Sequence, residues 1–406
     1  MDVKITPTRL CGAITPPPSK SQAHRLIIAA ALASGESRLE NVALSQDITA
    51  TLNCMRALGA PASEDGSHIT GVGGQLDQRN PLPTLDCGES GSTLRFLIPV
   101  ALAVAGGSVF MGHGRLMDRP QGPYEQLFSQ RNIVFQRENG TLRVEGRLQS
   151  GRFELPGDVS SQFITGLMYA LPLLAGDSEI MLTTPLESRG YVDMTLDALA
   201  RFGIQVEPVK GGWHIPGGQT YQPLVATVES DYSQAAFYYA AQLLGSTVEI
   251  QGLNPSSAQG DAAVIAFCDA LKGSGEVALD VSQCPDLVPP LATMAALRAG
   301  ETTRIVGAAR LRIKESDRLD TVTTQLNRLG ADIIQAPDSL TIHGVDRLTG
   351  GTVSGCNDHR IAMMLAIAAT RAKECVTITG AQCVAKSYPN FWEDYVALGG
   401  RIERLS

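Results

Sequence analysis

The sequence predicts an α/β protein with about two domains. Its 406 residues exceed the size that one hydrophobic core usually serves. Hydrophobic residues make up 44% of the chain and charged residues 18%, as is typical of globular proteins with sizeable cores. A third observation is a repeated pattern in which an amphipathic helix ends near a glycine and a short β-branched strand follows.

The repeat occurs six times, at a spacing of roughly 60–75 residues. Each copy has an acidic or turn-forming start, a helix with one apolar face, and a glycine or its equivalent before the strand. We expect that glycine to adopt the left-handed conformation that ends many helices. The copies cover residues 47–60, 124–133, 191–204, 262–273, 318–332 and 390–400.

Helices buried on all sides are predicted between these copies. Residues 161–174 and 359–370 are rich in Ala, Leu and Met and carry few charges. This pattern fits a generic α/β repeat protein as well as six units grouped three and three into two domains. The repeat alone does not decide between them.

Composition and charge exclude several function classes. The net charge of −8 argues against non-specific binding to nucleic acid or to anionic membranes. The N-terminus lacks the apolar stretch of a secretory signal, and no segment is long and apolar enough to span a bilayer. The eight cysteines form no C-x-x-C pair and the six histidines have no zinc-ligand spacing. We therefore expect a cytoplasmic protein with reduced thiols, no metal and no cofactor.

The first candidate anion site is a predicted helix start in residues 16–25. Prolines end an extended segment there, and the free N–H groups of a helix beginning near Ser19 favour an anion. Lys20, Ser21 and Arg25 lie within about one turn of that end. An ordinary helix cap with solvated side chains is the alternative. The segment is not a Walker loop, because it lacks the G-x-x-x-x-G-K pattern.

Two glycine-bearing segments follow. In residues 88–95, Gly91 permits close approach of a ligand to the backbone, and Arg95 lies one turn further along the helix. Residues 112–120 form a flexible loop with Arg115 and Arg119. A tight turn with a satisfied Arg95 and a surface ion pair between Arg119 and Asp118 are the alternatives.

A polar helix start is predicted at residues 158–162. The hydroxyls of Ser160 and Ser161 and the amide of Gln162 could bind a phosphate or sugar hydroxyls. A simple N-cap at Ser160 explains the same residues.

Further cationic residues lie in the C-terminal half. Alternation in residues 310–318 predicts a strand that runs into a helix and places Arg310, Arg312 and Lys314 on one face, although a solvated edge strand fits too. Arg360 opens an apolar helix, where burial requires a partner. Lys386 lies in an extended segment before a proline. Because burying cations without anions is costly, we infer a cleft occupied by small, multiply charged phosphates or carboxylates.

The order and spacing of these motifs, from Lys20 to Lys386, resemble the enolpyruvyl transferases that act on shikimate-3-phosphate. The most specific matches are Pro-Ser-Lys-Ser at 18–21 and Asn-Asp-His-Arg at 357–360, and the resemblance covers essentially the whole chain. It implies a two-domain, inside-out α/β barrel-like fold of six βαβαββ repeats, three per domain. By this resemblance, residues 1–18 and 228–406 form one domain, 19–227 form the other, and the active site lies in the cleft between them.

The resemblance also implies which residues bind each substrate. Arg189 is expected near the phosphate of shikimate-3-phosphate, and Tyr191 near its ring. The phosphoenolpyruvate site is expected to comprise Lys20, Gly91, Arg115, Gln162, Arg318, Arg360 and Lys386. The shikimate-3-phosphate site is expected to comprise Lys20, Ser21, Arg25, Ser160, Ser161, Gln162, Ser188, Arg189, Tyr191, Asp286, Arg310 and Lys314.

The implied reaction joins the 5-hydroxyl of shikimate-3-phosphate to C2 of phosphoenolpyruvate through a tetrahedral adduct and releases inorganic phosphate. It is a step of the shikimate pathway to chorismate and the aromatic amino acids. Addition needs a base for the hydroxyl and an acid for the methylene carbon, and elimination reverses these roles. The resemblance makes Asp286 the base and Glu315 its partner at the methylene, with Lys20 and Lys386 stabilising charge. His359 is expected to support these catalytic groups. The protein is expected to act as a monomer.

The chain departs from the family at the turn around Gly91. The family often has Asn-Ala-Gly-Thr-Ala-x-Arg-Pro there, whereas this chain has Glu89 before the turn, Ser92 within it and Phe96 in place of the proline. Glu89 adds negative charge near an expected phosphate. The family is the target of the phosphoenolpyruvate mimic glyphosate, and these departures leave sensitivity to it open. Arg310 also stands where the family often has asparagine.

Two other functions fit the same fold. A sister transferase acts on UDP-N-acetylglucosamine and usually carries a cysteine on its mobile loop, but residues 110–122 contain none. A non-catalytic sugar-phosphate binder would not need Lys20, Asp286, Glu315 and Lys386 together. Transfer to shikimate-3-phosphate is therefore preferred, with these two as alternatives.

Overall fold

The protein forms two compact units, each with its own hydrophobic core. The structure is a computed structural model that describes residues 1–74 and 80–405. The inserted unit comprises Pro18–Glu229, and the split unit comprises residues 1–17 and the chain from 230 onward. The buried apolar side chains form one core cluster within each unit.

Short helices and strands alternate along both units. The helices of the described residues are α1 (Lys20–Leu32), α2 (Gln46–Ala57), α3 (Gly91–Ala105), α4 (Gly122–Ser129), α5 (Ser161–Ala170), α6 (Arg189–Arg201), α7 (Tyr232–Leu243), α8 (Val264–Lys272), α9 (Val288–Ala296), α10 (Arg318–Arg328), α11 (His359–Ala369) and α12 (Phe391–Ala397). Their strands are β1 (Asp2–Thr6), β2 (Cys11–Ile14), β3 (Glu36–Glu40), β4 (His68–Thr70), β5 (Thr84–Asp86), β6 (Gly107–Met111), β7 (Val134–Glu138), β8 (Thr141–Glu145), β9 (Gly151–Leu155), β10 (Ser178–Leu182), β11 (Glu207–Val209), β12 (Gly212–Ile215), β13 (Val225–Thr227), β14 (Thr247–Ile250), β15 (Val277–Asp280), β16 (Thr302–Val306), β17 (Asp332–Gln335), β18 (Leu340–His343), β19 (Gly351–Ser354), β20 (Val376–Thr379) and β21 (Arg401–Leu405).

The described strands form six small sheets, three in each unit, and the sheets repeat one topology. In β5-β6-β8-β7, β9-β10-β12-β11 and β15-β16-β18-β17, the first strand pairs parallel with the second, and the other two pairings are antiparallel. The sheet β19-β20-β1-β21 has the same pattern of pairing, with the N-terminal strand β1 as its third strand. The sheets β13-β3-β4 and β14-β2 are shorter versions. The predicted α/β architecture of six repeats is confirmed.

The two helices of a repeat differ in burial. The first helix of each repeat is buried along nearly its whole length, as in α11, where every residue from His359 to Ala369 is buried. The second helix buries one face and exposes the other, as in α8 and α10. Apolar side chains on every face, many of them small alanines, let the first helices pack closely on all sides. The buried helices predicted at 161–174 and 359–370 correspond to α5 and α11 and are confirmed.

Left-handed residues end most of the second helices, as the repeat predicts. After four of these helices the left-handed residue is a glycine. After α4 it is an asparagine, Asn132, with φ 55°. Gly273 after α8 is an exception, because it is extended with φ −69° and ψ 162°. The prediction was wrong there, since the left-handed turn comes two residues later at Gly275, with φ 90°. The left-handed glycines are Gly59, Gly203, Gly330 and Gly399.

The described residues contain no helix with both the length and the apolar character needed to cross a bilayer. The same part of the chain contains no group of three or more histidine, cysteine, aspartate or glutamate side chains placed to hold a metal ion.

Alanine substitutions at two helix-ending glycines should have different effects on stability. Gly330→Ala should lower the free energy of unfolding by about 1–2 kcal/mol, because an L-residue is strained at φ 90°. Its Cβ would also lie 3.0 Å from Thr349 Cγ2. The matched control is Gly273→Ala, whose backbone suits any residue and whose Cβ would meet nothing closer than 3.4 Å. Urea denaturation of both variants is the measurement, and equal losses would contradict the assignment of the two turns.

Candidate active site

Several predicted ligand residues lie at the N-terminal ends of the buried first helices, among them Lys20 of α1, Gly91 of α3 and Arg360 of α11. In the inserted unit, Ser19, Ser90 and Ser160 cap α1, α3 and α5 with their side chains. In the split unit, Asp231 and Asp358 cap α7 and α11 in the same way. Free N–H groups and the positive end of the helix dipole favour anions at such positions. The repeat therefore brings an anion-favouring end to equivalent places in successive units.

Lys20 is the first residue of α1 and makes an ion pair with a residue that the sequence did not single out. Its Nζ lies 2.8 Å from Asp47 Oδ2, at the start of α2. The two side chains are only 16% and 11% exposed. An anionic ligand at Lys20 would therefore compete with Asp47 for the ammonium group.

Arg25 lies one turn further along α1 and is only 2% exposed. Its guanidinium donates to Thr195 Oγ1 at 2.9 Å, to the carbonyl of Tyr191 at 2.8 Å and to the carbonyl of Ser21 at 2.6 Å. It also stacks over the ring of Phe96, with 5.2 Å to the centroid. Arg25 thus holds the start of α6 against α1.

Gly91 is the first residue of α3 and lies against an arginine. A Cβ at Gly91 would stand 2.4 Å from Nη1 of Arg119, which is 7% exposed. Only glycine therefore allows this approach. Arg115, which was predicted to bind phosphoenolpyruvate, is exposed and precedes a 3-10 helix, Leu116–Asp118. Arg119 is the more closely placed of the two, although the family resemblance had implied Arg115 and not Arg119 as a ligand residue.

Gln162 in the first turn of α5 connects α5 to α3. Its Oε1 accepts from Arg95 Nη1 at 2.8 Å, and its Nε2 donates to Ser92 Oγ at 3.0 Å. The adjacent Ser160 accepts from the Gln162 backbone N–H, and Ser161 is buried. Ser160 is therefore an N-cap, as one of the two interpretations predicted, and its contact with a ligand stays a prediction.

The start of α6 is conformationally strained. Ser188 is a buried non-glycine residue with φ 55° and ψ 44°. Such outliers cost about 1–3 kcal/mol and concentrate at functional sites. The next residue, Arg189, is 75% exposed and pairs with Asp193 at 3.6 Å. Arg189 is thus at the surface of the inserted unit, whereas Ser188 is within it.

Three cationic side chains surround one carboxylate in the split unit. Asp286 lies in a 3-10 helix, Pro285–Leu287, immediately before α9. Its Oδ1 is 2.8 Å from Arg318 Nη1 and 3.4 Å from Lys314 Nζ, and its Oδ2 is 3.1 Å from Arg360 Nη2. Burial lowers the pKa of Lys314, and the Asp286 carboxylate opposes that effect. Asp286 is therefore in direct contact with three cationic residues that the sequence analysis also named as ligand candidates.

Arg318 joins this cluster to two further carboxylates. The guanidinium is 1% exposed and contacts Glu315 Oε2 at 2.7 Å and Asp358 Oδ2 at 2.8 Å, besides Asp286. Burial alone would lower the pKa of Arg318, but the carboxylates of Asp358, Glu315 and Asp286 outweigh burial and raise it. Arg318 is therefore a permanent cation that fixes three acidic side chains.

Asp358 was not assigned a role from the sequence, although it stands inside one of the quoted motifs. It is fully buried, caps α11 by accepting from the Arg360 N–H at 3.0 Å, and accepts from Ser316 Oγ at 2.9 Å. Burial would raise its pKa, but Arg318 reverses this and holds the pKa below its usual value. An aspartate directly before an apolar helix is an N-cap signal, which would have identified it. His359, the next residue, is 2% exposed within α11.

Lys386 supports a strained turn that leads into Asp358. Its Nζ donates to the carbonyl of Asn357 at 2.6 Å, and the side chain is 4% exposed. Both Cys356 and Asn357 have positive φ, at 52° and 51°. Two successive left-handed non-glycine residues are unusual, and a buried lysine at their carbonyl stabilises the turn.

The strand predicted at residues 310–318 was wrong. The segment begins as a 3-10 helix, Ala309–Ile313, and pairs with no described strand. Its arginines therefore do not share one face and have different partners. Arg310 donates to the carbonyl of Ser282, and Arg312 binds Asp317 at 2.9 Å. Lys314, unlike these two, reaches Asp286.

Carboxylates of the protein pair with several of the cations from which anionic ligands were inferred. Lys20 pairs with Asp47, and Lys314, Arg318 and Arg360 share Asp286. These carboxylates are distant in sequence from most of their partners, so spacing could not reveal them. The case for anionic ligands therefore depends on helix ends, burial and family membership rather than on unmatched charge.

A family model described as EPSP synthase (3-phosphoshikimate 1-carboxyvinyltransferase) matches residues 5–395. The chain belongs to the EPSP synthase family. A 3-phosphoshikimate 1-carboxyvinyltransferase from Clostridium acetobutylicum is 46% identical across 100% of this chain and 99% of its own length. The enzyme of the same name from Clostridium kluyveri is 44% identical with the same coverage. A solved EPSP synthase from Acinetobacter baumannii has a TM-score of 0.80 at 25% identity, covering 99% of this chain and 100% of that one. The EPSP synthase fold expected from the sequence is thus confirmed.

Removing the Arg318 guanidinium should destabilise the split unit. Arg318→Met leaves three carboxylates close together, and we expect a loss of about 3–5 kcal/mol in the free energy of unfolding at neutral pH. The control is Arg143→Met, which breaks an exposed pair with Glu145 and should change that free energy by less than about 1 kcal/mol. Denaturant unfolding at several pH values is the measurement.

The pH dependence has a definite sign. Because Asp358 has a lowered pKa in the folded state, its stabilisation is complete above the usual value of about 3.9 and is lost as the pH falls through the lower folded value. The difference between wild type and Arg318→Met should therefore narrow in acid. A difference that is constant or widens there would contradict the pairing of Arg318 with Asp358.

Proposed function

We propose that the chain transfers the enolpyruvyl group of phosphoenolpyruvate to the 5-hydroxyl of shikimate-3-phosphate and releases inorganic phosphate. Membership of the EPSP synthase family carries this proposal, since relatives at 44–46% identity over the full length are named for that activity. The acid–base candidates Asp286 and Glu315 lie in the split unit, and cationic candidates lie in both units.

Shikimate-3-phosphate is proposed to bind at helix starts in the inserted unit together with acidic and basic groups of the split unit. Ser21 at α1, Ser161 at α5 and the strained Ser188 at α6 offer hydroxyl groups or backbone N–H groups. The proposed complete set is Lys20, Ser21, Arg25, Ser160, Ser161, Gln162, Ser188, Arg189, Tyr191, Asp286, Arg310 and Lys314.

Phosphoenolpyruvate carries a phosphate and a carboxylate, and we propose that guanidinium and ammonium groups bind both. Bidentate arginine contacts suit these planar or tetrahedral anions. The proposed set is Lys20, Gly91, Arg115, Gln162, Arg318, Arg360 and Lys386, to which the position of Arg119 against Gly91 adds a further candidate.

The proposed chemistry begins at Asp286. Its carboxylate accepts the 5-hydroxyl proton as the oxygen attacks C2, while a proton delivered by way of Glu315 converts the C3 methylene to a methyl group. In the elimination, C3 returns a proton, the C2–O bond to phosphate breaks, and the enol ether forms. A substrate anion that draws Lys314 and Arg360 towards itself would free Asp286 to accept the proton. Lys20 and Lys386 are proposed to stabilise the developing charge.

We also propose that the protein acts as a monomer in the cytoplasm. All eight cysteines are free thiols, which agrees with a reducing compartment. Enolpyruvyl transfer to UDP-N-acetylglucosamine is the second candidate function, and the assay below distinguishes the two.

Phosphate release tests the proposal directly. The wild-type protein should release inorganic phosphate only when both shikimate-3-phosphate and phosphoenolpyruvate are present. Asp286→Asn and Lys20→Met should each reduce the rate by a factor on the order of 10²–10³, because each removes a preorganised group. Lys272→Met is the matched control, since that lysine pairs with Asp269 at the surface and should leave the rate unchanged.

Failure would be informative. If folded wild-type protein releases no phosphate with shikimate-3-phosphate, the same assay with UDP-N-acetylglucosamine distinguishes the sister activity from a non-catalytic binder. Circular dichroism of every variant excludes loss of folding as the cause.

A further inference from the structure

A chain of buried hydrogen bonds crosses the inserted unit and has no place in the function proposed above. His24 Nδ1 lies 2.7 Å from Thr51 Oγ1, Thr51 Oγ1 lies 2.7 Å from Thr93 Oγ1, and Thr93 Oγ1 lies 2.7 Å from Ser90 Oγ. The four residues belong to α1, α2, α3 and the cap of α3, and none is more than 1% exposed. The chain therefore connects three helices at the end where Gly91 lies.

The direction of donation along this chain follows from counting protons. Thr93 donates its hydroxyl proton to Ser90, so its oxygen must accept in the contact with Thr51. The hydroxyl of Thr51 has one proton, which it donates to Thr93 at 2.7 Å. Its contact with the carbonyl of Asp47 is longer, at 3.3 Å, and does not use this proton. Since Thr51 has no proton left, His24 Nδ1 can hold its own contact only as a donor.

The surroundings of His24 agree with a neutral ring protonated at Nδ1. Burial, reinforced by the charges of Lys20 and Arg25, holds the pKa of His24 well below 6.5. Its Nε2 is buried without a hydrogen-bond partner in the described part of the chain. In the other neutral tautomer that atom would be a buried, unmatched N–H donor, which is costly.

We propose that His24 is a positioning residue for phosphoenolpyruvate, acting through Thr51 and Thr93 on the Ser90 cap of α3. Ser90 Oγ accepts from both the N–H and the hydroxyl of Thr93, at 3.1 and 2.7 Å, and so fixes the first turn of α3. That turn presents the backbone of Gly91. Only the identity of the anion rests on the proposed function; the hydrogen-bond relay does not.

The relay is tested by NMR of the full chain labelled with ¹⁵N-histidine. His24 should show a protonated Nδ1 and a bare Nε2 at neutral pH, and its signals are assigned by their loss in His24→Asn. A ring protonated at Nε2, or a charged imidazolium, would overturn the proposal. This result does not depend on catalytic activity, so it stands or fails separately from the proposed function.

Kinetics tests the positioning role. His24→Leu and Thr51→Val remove the relay and should raise the KM for phosphoenolpyruvate about five- to tenfold, comparable to losing a helix cap. The KM for shikimate-3-phosphate should change less than about twofold. His24→Asn, whose amide N–H can replace Nδ1–H, should restore most of the loss.

Equal changes in both KM values, or an asparagine variant no better than leucine, would overturn the positioning role. Thr51→Val keeps the test valid if His24→Leu fails to fold, because valine matches threonine in shape. If the wild type shows no turnover at all, the proposed function fails, while the NMR result still decides whether the relay exists.

Discussion

The buried guanidinium of Arg318 is the group on which the split unit's candidate site depends. It begins α10, and its ion pairs reach the 3-10 helix before α9 and the cap of α11. One side chain thereby fixes the start of three helices. Because a buried charge is tolerated only with partners, Asp286 and Asp358 are held in place as strictly as Arg318 is. The arrangement places the carboxylates of Asp286, Glu315 and Asp358 directly beside cations.

The same principle operates in the inserted unit with hydroxyl groups in place of carboxylates. Its first helices begin at serine caps, and the strained start of α6 adds Ser188. Each unit therefore repeats one element, a buried helix whose N-terminus favours an anion and is, except in α9, capped by a serine or aspartate side chain. Repetition of the βαβαββ unit explains why candidate ligand residues recur along the whole sequence instead of clustering in one segment.

The sequence predicted those features that depend on local pattern. The helix-and-glycine repeat located the second helices, and low charge located α5 and α11. It failed at Gly273, where the left-handed turn comes two residues later, and at residues 310–318, where alternation without a pairing strand produced a 3-10 helix. These outcomes depend on tertiary contacts that periodicity does not contain.

Side-chain partners across long separations were the least predictable part of the site. Asp47 and Asp358 pair with Lys20 and Arg318 over 27 and 40 residues. Arg119 approaches Gly91 only because the loop before α4 folds back on α3. Residue patterns nonetheless pointed to Lys314 and Arg360, the family resemblance implied Asp286 and Arg318, and the structure brings these four together.

The proposed reaction adds the 5-hydroxyl of shikimate-3-phosphate to C2 of phosphoenolpyruvate and then eliminates phosphate. Running the complete reaction in D₂O and examining the product by NMR tests it most directly. The adduct's methyl group would contain one hydrogen from solvent, so elimination should leave deuterium at the product methylene. An enol ether without deuterium would contradict protonation at C3, and phosphate release without any enol ether would contradict the transfer itself.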